Sequence, residues 1–380
     1  MAKVLHIYKT YMPFTMGGVE QVIQQLALST ASAGFTHQVL TLHEGEDFQR
    51  IQRPEAEVLA VPWRLHLQST PLSFQYLRRF RKLAQEADIV HYHHPFPLQD
   101  IAQVLSGITT PSLVTYHSDV VRQKWANKLY SPLLNHFLGR VDLVVASSPQ
   151  YRQSSLVLQR FQAKTSVVPF GLSERSYPEP DSATLEDYRE RFKQGFFLFV
   201  GVLRYYKGLE FLIEAARKTG LPVVVAGDGP ERGNVEQAAG DIENLHYLGQ
   251  ISESEKVALL NLASAFVFPS SQRSEAFGIS LLEAAMYGKA LISAEIGTGT
   301  SLINQHEETG LIVAPANAEA LAEAMLTLWQ DDEQRQQMGE AARARYLSLF
   351  TSEEMGRAYA QAYQHLLAPQ DKAREMEKAQ

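Results

Sequence analysis

Two glutamates eight positions apart are the clearest candidates for ligand-binding groups. Glu275 follows a predicted strand and a polar loop, and Glu283 falls inside the helix predicted next. Phe277, Gly278 and Ile279 open that helix, so their backbone N–H groups would form an anion site. An ionised carboxylate only accepts hydrogen bonds, so both glutamates suit the hydroxyls of a sugar or a ribose. The competing interpretations are compensation of the helix dipole for Glu275 and a solvated helix face for Glu283.

A basic loop lies earlier in the same half of the chain. Gly201 ends a predicted strand, and Arg204 and Lys207 follow it before a helix begins at Leu209. The planar fork of an arginine and the point charge of a lysine together suit a diphosphate. A solvated basic turn fits the same residues.

Two segments of the first half also follow predicted strands. Gly17 and Gly18 open a helix after the first strand, where the missing Cβ atoms would let an anion approach the backbone. This pair is not the G-x-G-x-x-G of dinucleotide-binding proteins, which argues against a nicotinamide or flavin dehydrogenase. His117 follows the fifth strand, where a binding-site wall is expected, although a packed or solvated histidine is the commoner occupant of such a position.

A metal centre has little support in the pattern of ligand types. His91 and His93 share one face of the fourth strand, but no carboxylate stands near them in sequence, and His94 precedes Pro95 in an apparent loop. The D-x-D triplet that clamps a metal–diphosphate complex does not occur. The sequence therefore predicts a site without a metal.

The elements that must position these residues alternate between strands and helices. Short β-branched runs separated by helical patterns predict parallel sheets built from βαβ units, in which ligands bind beyond the carboxyl ends of the strands. The predicted strands are Val4–Tyr8, Gln38–Leu42, Val58–Val61, Ile89–Tyr92, Leu113–Tyr116, Leu143–Ala146, Phe196–Val200, Pro222–Ala226, Leu245–Leu248, Ala265–Phe268, Ala290–Ser293 and Leu311–Val313.

The strand pattern stops and restarts, which predicts two α/β domains. We expect a Rossmann-like first domain over 1–172, a linker over 173–190, a second Rossmann-like domain over 191–350, and a helix and tail over 351–380. Helical spacing of apolar residues in the last third predicts three helices, Ala318–Trp329, Glu333–Leu349 and Glu353–Leu367.

Composition narrows the class of protein further. The 380 residues are 45% apolar and 20% charged, which is typical of globular proteins, and the absence of cysteine removes disulfides and thiolate chemistry. The net charge of −7 divides unevenly, because residues 1–170 carry a balance of +5 and the remainder −12. The N-terminus does not have the plan of a signal peptide, so we expect a cytoplasmic protein.

In their order along the chain, these motifs resemble the retaining nucleotide-sugar glycosyltransferases of family 4, which have the two-Rossmann-domain GT-B fold. The hallmark of that family, two glutamates separated by seven residues, is matched by Glu275 and Glu283. The Gly17-Gly18 pair with Glu20, His117, the Arg204 and Lys207 loop and Gly227-Asp228-Gly229 follow the family's order. The resemblance covers residues 3–367 and implies two domains facing across a cleft, with the C-terminal helix returning to the first domain.

The resemblance also implies a role for each motif. Gly17 and Gly18 would present backbone N–H groups to the diphosphate or the acceptor side, and Gly201 would belong to the nucleotide-sugar site. His117 would contact the donor hexose near its C6 hydroxyl. Arg204 and Lys207 would bind the diphosphate. Glu283 would bind the ribose, and Glu275 with the backbone of 277–279 the transferred sugar. Many family members have an arginine where this chain has Val202, and Arg204 is the residue available to replace it.

Within the family, the loop over 202–208 and the segment over 116–119 look most like bacterial mannosyl- and rhamnosyltransferases that build lipopolysaccharide O-chains from GDP-sugars. The nucleotide sugar is then a substrate, and no cofactor is expected. Two cations and a helix N-terminus would stabilise the leaving diphosphate. The resemblance implies retention of the anomeric configuration, and because no carboxylate is evidently placed as a nucleophile, we expect front-face attack.

Two acid-free stretches of the first half suggest a membrane partner. Residues 63–82 and 120–140 combine basic and aromatic side chains, which suits an anionic bilayer beside a lipid-linked acceptor. Amphipathic helices with a solvated basic face fit both stretches equally well. Nucleic acid is not expected, because the chain is acidic and has no recognition motif.

Two other functions stay open at this point. A nucleotide-sugar epimerase on the same scaffold would release an epimeric hexose into solution. An inactive binding subunit would bind the nucleotide sugar without consuming it.

Overall fold

The computed structural model describes residues 1–63, 65–67, 70–119 and 124–368, and these form alternating strands and helices. The strands are β1 (Ala2–Ile7), β2 (Phe35–His43), β3 (Gln49–Gln52), β4 (Glu57–Pro62), β5 (Leu65–Leu67), β6 (Thr70–Leu72), β7 (Ile89–His94), β8 (Ser112–Tyr116), β9 (Leu143–Ala146), β10 (Thr165–Val167), β11 (Phe197–Val200), β12 (Val223–Ala226), β13 (Leu245–Gly249), β14 (Ala265–Phe268), β15 (Ala290–Ala294) and β16 (Gly310–Val313). The helices are α1 (Gly18–Ala31), α2 (Phe74–Glu86), α3 (Pro97–Ser106), α4 (Lys124–Arg140), α5 (Pro149–Ser154), α6 (Leu156–Arg160), α7 (Ser182–Arg191), α8 (Leu209–Thr219), α9 (Arg232–Asp241), α10 (Glu253–Leu262), α11 (Ile279–Met286), α12 (Thr300–Ile303), α13 (Ala318–Gln330), α14 (Asp332–Leu349) and α15 (Ser352–Leu367).

The first compact unit contains residues 1–147, 156–171 and 352–380. Its sheet has the order β10-β9-β8-β7-β1-β2-β4-β3 and is parallel except for β3, which runs antiparallel to β4. The central strands are buried on both faces, as parallel strands covered by helices must be. Helix α15 packs against α1 and β7, so the C-terminal helix returns to the first unit as the family resemblance implies.

The second unit contains residues 148–155 and 172–351. Its six strands are all parallel, in the order β13-β12-β11-β14-β15-β16, which is the order of a Rossmann fold. Strands β11, β12 and β14 are completely buried, and α8 and α13 pack against each other. The fold predicted from the sequence, two Rossmann-like parallel-sheet domains, is confirmed.

Every predicted strand is present, and the structure adds strands that the pattern did not indicate. Strand β3 is polar and mostly exposed, and β10 is only three residues long. The stretch predicted as a linker, 173–190, is largely folded onto the second unit. It holds most of α7, which packs against α10 and is anchored by the buried Tyr188.

Candidate functional site

The two cationic side chains of the basic loop after β11 differ in how far they are buried. Arg204 is exposed, whereas Lys207 is 8% exposed and ends a single turn of 3-10 helix over Tyr205–Lys207. Val202, at the position of the family's arginine, is 46% exposed. One cation of the predicted pair is therefore fixed by the fold, and the other projects from it.

Gly208 lets this loop pack against the end of β14. Its φ of +69° lies in the left-handed region, and a Cβ atom at this position would clash with the carbonyl oxygen of Pro269. The loop after β11 and the loop after β14 therefore meet at backbone distance. This contact brings Lys207 to the segment that contains Glu275.

Lys207 and Glu275 form an ion pair between the Nζ and Oε2 atoms, although 68 positions separate them in sequence. The hydroxyl of Ser270 lies 3.4 Å from the same carboxylate oxygen, and the ammonium group lies 4.7 Å from the centroid of the Phe268 ring. Lys207 thus has a carboxylate on one side and an aromatic face on another. Two residues predicted separately as functional are brought together here.

The helix start predicted as an anion site lies beside the same phenylalanine. Gly278 precedes α11 with a φ of +96°, and a Cβ on it would lie 3.2 Å from the Phe268 ring. Helix α11 begins at Ile279, so the amides of its first turn have no partner within the helix. Phe277 is buried, and its ring packs edge-on to Phe350. Gly201 also belongs to this cluster, because a Cβ on it would lie 3.9 Å from Lys207 Nζ.

Glu283 is buried in α11 and is not solvated. Its Oε1 atom accepts hydrogen bonds from Lys256 Nζ at 2.7 Å and from the Tyr177 hydroxyl at 2.8 Å. Burial alone would lower the pKa of Lys256, but the carboxylates of Glu283 and Glu253 outweigh it and raise that pKa. Burial and the Glu283 carboxylate likewise raise the pKa of Tyr177. Sequence reasoning missed both partners, since neither belongs to a motif.

Gly17 and Gly18 lie at the start of α1 in the first unit, as expected. Gly17 is extended, with a φ of −156°, and a Cβ on it would lie 2.9 Å from Glu20 Oε2. The carboxylate of Glu20 is therefore the group nearest Gly17, and it also accepts a hydrogen bond from the Thr10 hydroxyl at 2.7 Å. Burial raises the pKa of Glu20.

His117 directly follows β8 and is 6% exposed. Its Nε2 atom lies 2.9 Å from Nδ1 of His93, and its ring stacks on Phe170. Burial lowers the pKa of His117 to about 3, so the ring is neutral at physiological pH. The ring is packed, which agrees with the structural interpretation of His117, and its role in binding stays a prediction.

The histidines at the end of β7 are all buried. His94, expected in a loop, is the last residue of the strand and stacks on Tyr116. Ligand atoms of His6, His91 and His93 lie within 4.8 Å of one another, the one group of three potential metal ligands among the residues that the structure describes. Strand pairing places His6 opposite His91, which sequence spacing does not indicate.

The two stretches predicted as membrane-facing are only partly available for such a role. Tyr76 and Phe80 are buried on the inner face of α2, and Phe137 is buried in α4, because these helices pack their aromatic residues on the sheet. Phe74 is 88% exposed, and Arg78, Arg81 and Lys82 are exposed. Residues 64, 68, 69 and 120–123 of these stretches lie outside the described residues. No helix in the described part of the chain is long and apolar enough to cross a membrane.

Two known protein families match this chain, one over each half. The family described as Glycosyltransferase Family 4 matches residues 16–174, and the family described as Glycosyl transferases group 1 matches residues 183–345. The boundary between the two matches falls inside the predicted linker.

Similarity to individual proteins extends over most of the sequence. The D-rhamnosyltransferase WbpZ of Pseudomonas aeruginosa is 49% identical over 92% of this chain and 92% of its own length. The O-antigen chain mannosyltransferase C of Escherichia coli is 42% identical over 96% of this chain and 99% of its own length.

Solved structures agree in fold. Sucrose-phosphate synthase from Thermosynechococcus elongatus superposes with a TM-score of 0.81 at 21% identity, covering 97% of this chain and 100% of the other. Anabaena HepE in complex with UDP-glucose gives a TM-score of 0.76 at 16% identity, covering 96% and 100%. The two parallel-sheet domains, together with the two family matches, define a glycosyltransferase of the GT-B class. With relatives at 42–49% identity over almost the whole sequence, this chain belongs to glycosyltransferase family 4.

Proposed function

We propose that this enzyme transfers mannose or rhamnose from a GDP-sugar to a lipid-linked saccharide during O-antigen synthesis. The names of two relatives, a D-rhamnosyltransferase and an O-antigen chain mannosyltransferase, support the sugar and the pathway. The identity of both relatives extends over more than nine-tenths of this chain, so the similarity includes both units.

The observation that carries the proposal is the Lys207–Glu275 pair beside the start of α11. A diphosphate bound here would face the Lys207 ammonium and the amides of the first helical turn, with the exposed Arg204 able to reach its outer oxygens. Glu275 fixes the position of Lys207 and offers a carboxylate to sugar hydroxyls. These groups act locally, which is necessary because residues 171–380 carry a net charge of −12.

The same groups supply the chemistry. As the bond from the anomeric carbon to the leaving phosphate breaks, negative charge collects on the phosphate oxygens, and Lys207, Arg204 and the helix amides stabilise it without a metal. The acceptor oxygen bonds to the anomeric carbon on the same face, with retention, and its proton passes to the departing phosphate. The enzyme contributes positioning and a fixed electrostatic environment.

The other predicted residues complete this proposal. Glu283 would bind the ribose with its carboxylate, whose orientation Lys256 and Tyr177 fix through Oε1. Gly17 and Gly18 would present the backbone of the α1 start to the acceptor side, and His117 would contact a hydroxyl of the hexose.

We further propose that the enzyme works at the inner face of the cytoplasmic membrane, where a lipid-linked acceptor would lie. The exposed basic face of α2 and the exposed ring of Phe74 support contact with anionic lipid. Co-sedimentation with vesicles tests this, and equal binding to neutral and anionic vesicles would refute it.

Release of nucleoside diphosphate from a panel of sugar nucleotides tests the function as a whole. GDP-mannose, GDP-rhamnose, UDP-glucose and ADP-glucose are each incubated with the enzyme, with and without a lipid-linked acceptor. We expect GDP release only with the acceptor, and NMR of the product should show the donor's anomeric configuration. An epimeric sugar nucleotide would indicate an epimerase, and binding without turnover a binding subunit, and either result would refute the transferase.

A further inference from the structure

Four buried histidines form a continuous row across the sheet of the first unit. His37 lies on β2, His6 on β1, His93 on β7 and His117 just after β8, and these strands are neighbours in the order β8-β7-β1-β2. None of the four is more than 6% exposed. One row therefore leads from the core beneath α1 to His117.

Hydrogen bonds connect each ring to the next. His37 Nδ1 lies 2.9 Å from His6 Nε2, His6 Nδ1 lies 3.1 Å from His93 Nε2, and His93 Nδ1 lies 2.9 Å from His117 Nε2. Every link joins a δ nitrogen to an ε nitrogen. A row of neutral imidazoles linked in this way has two possible proton arrangements, each running in one direction.

Thr30 on α1 decides between the two directions. Its hydroxyl oxygen lies 2.7 Å from the carbonyl oxygen of Leu26 and 2.9 Å from His37 Nε2. A carbonyl oxygen cannot donate, so the single hydroxyl hydrogen of Thr30 is used on Leu26. His37 must then donate to Thr30 through Nε2–H.

The tautomer of His37 fixes the tautomer of each following ring, because a neutral imidazole has one N–H donor and one acceptor nitrogen. With its hydrogen on Nε2, His37 accepts from His6 at Nδ1, His6 accepts from His93, and His93 accepts from His117. Burial lowers the pKa of all four rings, to about 4 for His37, which keeps them neutral at physiological pH.

We propose that Thr30, His37, His6 and His93 are positioning residues that hold His117 as its Nε2–H tautomer, with Nδ1 presented as a hydrogen-bond acceptor for a sugar hydroxyl. This proposal rests on the proposed function for the identity of the ligand. No described residue hydrogen bonds to His117 Nδ1, so the lone pair is available for that purpose. In the opposite tautomer, Nδ1 of His117 would carry the hydrogen and donate it, so it would bind a hydrogen-bond acceptor of the sugar instead.

The row also accounts for part of the concentration of histidines in the first half of the sequence. Nine of the twelve histidines lie in the first half, and four of these nine form the row. His91 is excluded from the row, because its two ring nitrogens bond to the hydroxyls of Tyr363 and Thr115.

Imidazole ¹⁵N NMR of the intact, ligand-free protein tests the tautomer directly. His117 is assigned by comparison with His117→Gln. We expect a pyridine-like Nδ1 and a pyrrole-like Nε2 in the wild type and in Thr30→Ser, and a mixture of tautomers in Thr30→Val. Thr41→Val is the matched control, because Thr41 is also fully buried and its hydroxyl has no hydrogen-bond partner among the described residues.

Donor kinetics give the second readout. We expect Thr30→Val to lower kcat/KM about tenfold, with Thr30→Ser and Thr41→Val within about twofold of the wild type. The proposal is overturned by an Nδ1–H tautomer at His117 in the wild type, by Thr30→Val behaving like Thr41→Val in both readouts, or by stoichiometric zinc bound at His6 and His93. If the wild type turns over no donor, the proposed function fails, while the wild-type spectrum still decides the tautomer.

Discussion

At the scale of single residues, the charged groups of the second unit are held by partners distant in sequence. Lys207 pairs with Glu275, and the carboxylate of Glu283 is bound by Lys256 and Tyr177. Burying a charge costs least when the charge is paired and hydrogen-bonded, and these partners hold each of the charged groups in position.

Replacing Glu283 with Gln tests the ribose assignment. The amide keeps the shape of the side chain but loses the charge, so we expect affinity for GDP to fall about tenfold, which is the loss of about one hydrogen bond to a charged group. Calorimetry should also show that the preference for GDP over 2′,3′-dideoxy-GDP disappears in Glu283→Gln.

Glu253→Gln is the control for this substitution. Glu253 also pairs with Lys256, at 2.8 Å, but lies on α10 and is partly exposed. Its variant should bind GDP like the wild type. An unchanged preference for the ribose hydroxyls in Glu283→Gln would remove Glu283 from the ribose site.

The types and order of the site residues could be predicted from sequence, but their partners could not. Glu275 and Lys207 belong to recognisable loops, whereas Tyr177 lies 106 positions from Glu283 in a stretch that the sequence predicts as a linker. The histidine row was equally hidden, because it depends on which strands are neighbours and in what register.

At the scale of elements, loops at the carboxyl ends of strands position the site. The loop after β11 reaches β14 only because Gly208 has no side chain, and this contact sets the distance from Lys207 to Glu275.

Gly208→Ala should therefore lower the stability of the second unit more than Gly220→Ala. Both glycines have a positive φ, but a Cβ on Gly220 meets nothing within 4 Å, so that variant carries only the backbone strain. We expect an additional loss of about 2 kcal/mol or more in Gly208→Ala, in line with overpacking against rigid backbone. Urea unfolding followed by Trp329 fluorescence measures it, and equal losses in the two variants would contradict this account of the loop.

The strands were predictable because the buried ones are continuous apolar runs, as in β11 and β12. Strand β3 was missed because it lies at the sheet edge and is polar, and β10 because three residues give no pattern. Two interpretations fit the sequence of α2, contact with a membrane and packing on the sheet with a solvated basic face, and the burial of Tyr76 and Phe80 agrees with the second.

At the scale of the whole molecule, the two units should differ in their response to acid. Burial lowers the pKa of six histidines in the first unit, whereas it raises the pKa of Asp100 to about 8 and also that of Glu20. The six are His6, His37, His91, His93, His94 and His117.

The sign of the effect follows from linkage. A histidine whose folded pKa lies below 6.5 binds its proton more readily in the unfolded state, so its effect destabilises the fold as pH drops below 6.5. The two carboxyls act in the opposite direction, since their folded state binds protons more readily. The histidines outnumber the carboxyls, so unfolding takes up protons below pH 6.5, and each proton taken up lowers the free energy of unfolding by about 1.4 kcal/mol per pH unit.

We therefore expect the first unit to lose its stability between pH 6.5 and about 5, with the second unit less affected. Trp329 is the tryptophan of the second unit, and Trp63 and Trp125 belong to the first. Trp329→Phe reports on the first unit, and the double variant Trp63→Phe/Trp125→Phe reports on the second. If the fluorescence signals of both units changed in parallel on acidification, the burial of neutral histidines in the first unit would be contradicted. A first unit that stayed folded at pH 5 would contradict it too.

The uneven distribution of charge between the two halves of the sequence bears on how the enzyme would bind a diphosphate. The half that contains the proposed diphosphate site carries −12, which gives no general positive field, and our proposal assigns diphosphate binding to Lys207, Arg204 and the α11 amides. We therefore propose that groups near the diphosphate, and not the net charge of the unit, stabilise it.

The most direct test of that claim is the initial rate of GDP release from GDP-mannose or GDP-rhamnose in the presence of a lipid-linked acceptor. Lys207→Ala and Arg204→Ala are compared with Arg217→Ala, which removes an exposed arginine of the same unit that pairs with Glu214 one turn away on its own helix. We predict at least a tenfold loss of turnover for the first two variants, about 1.4 kcal/mol of transition-state stabilisation, and a rate within about twofold of the wild type for the control. Near-normal turnover in both Lys207→Ala and Arg204→Ala would contradict the account.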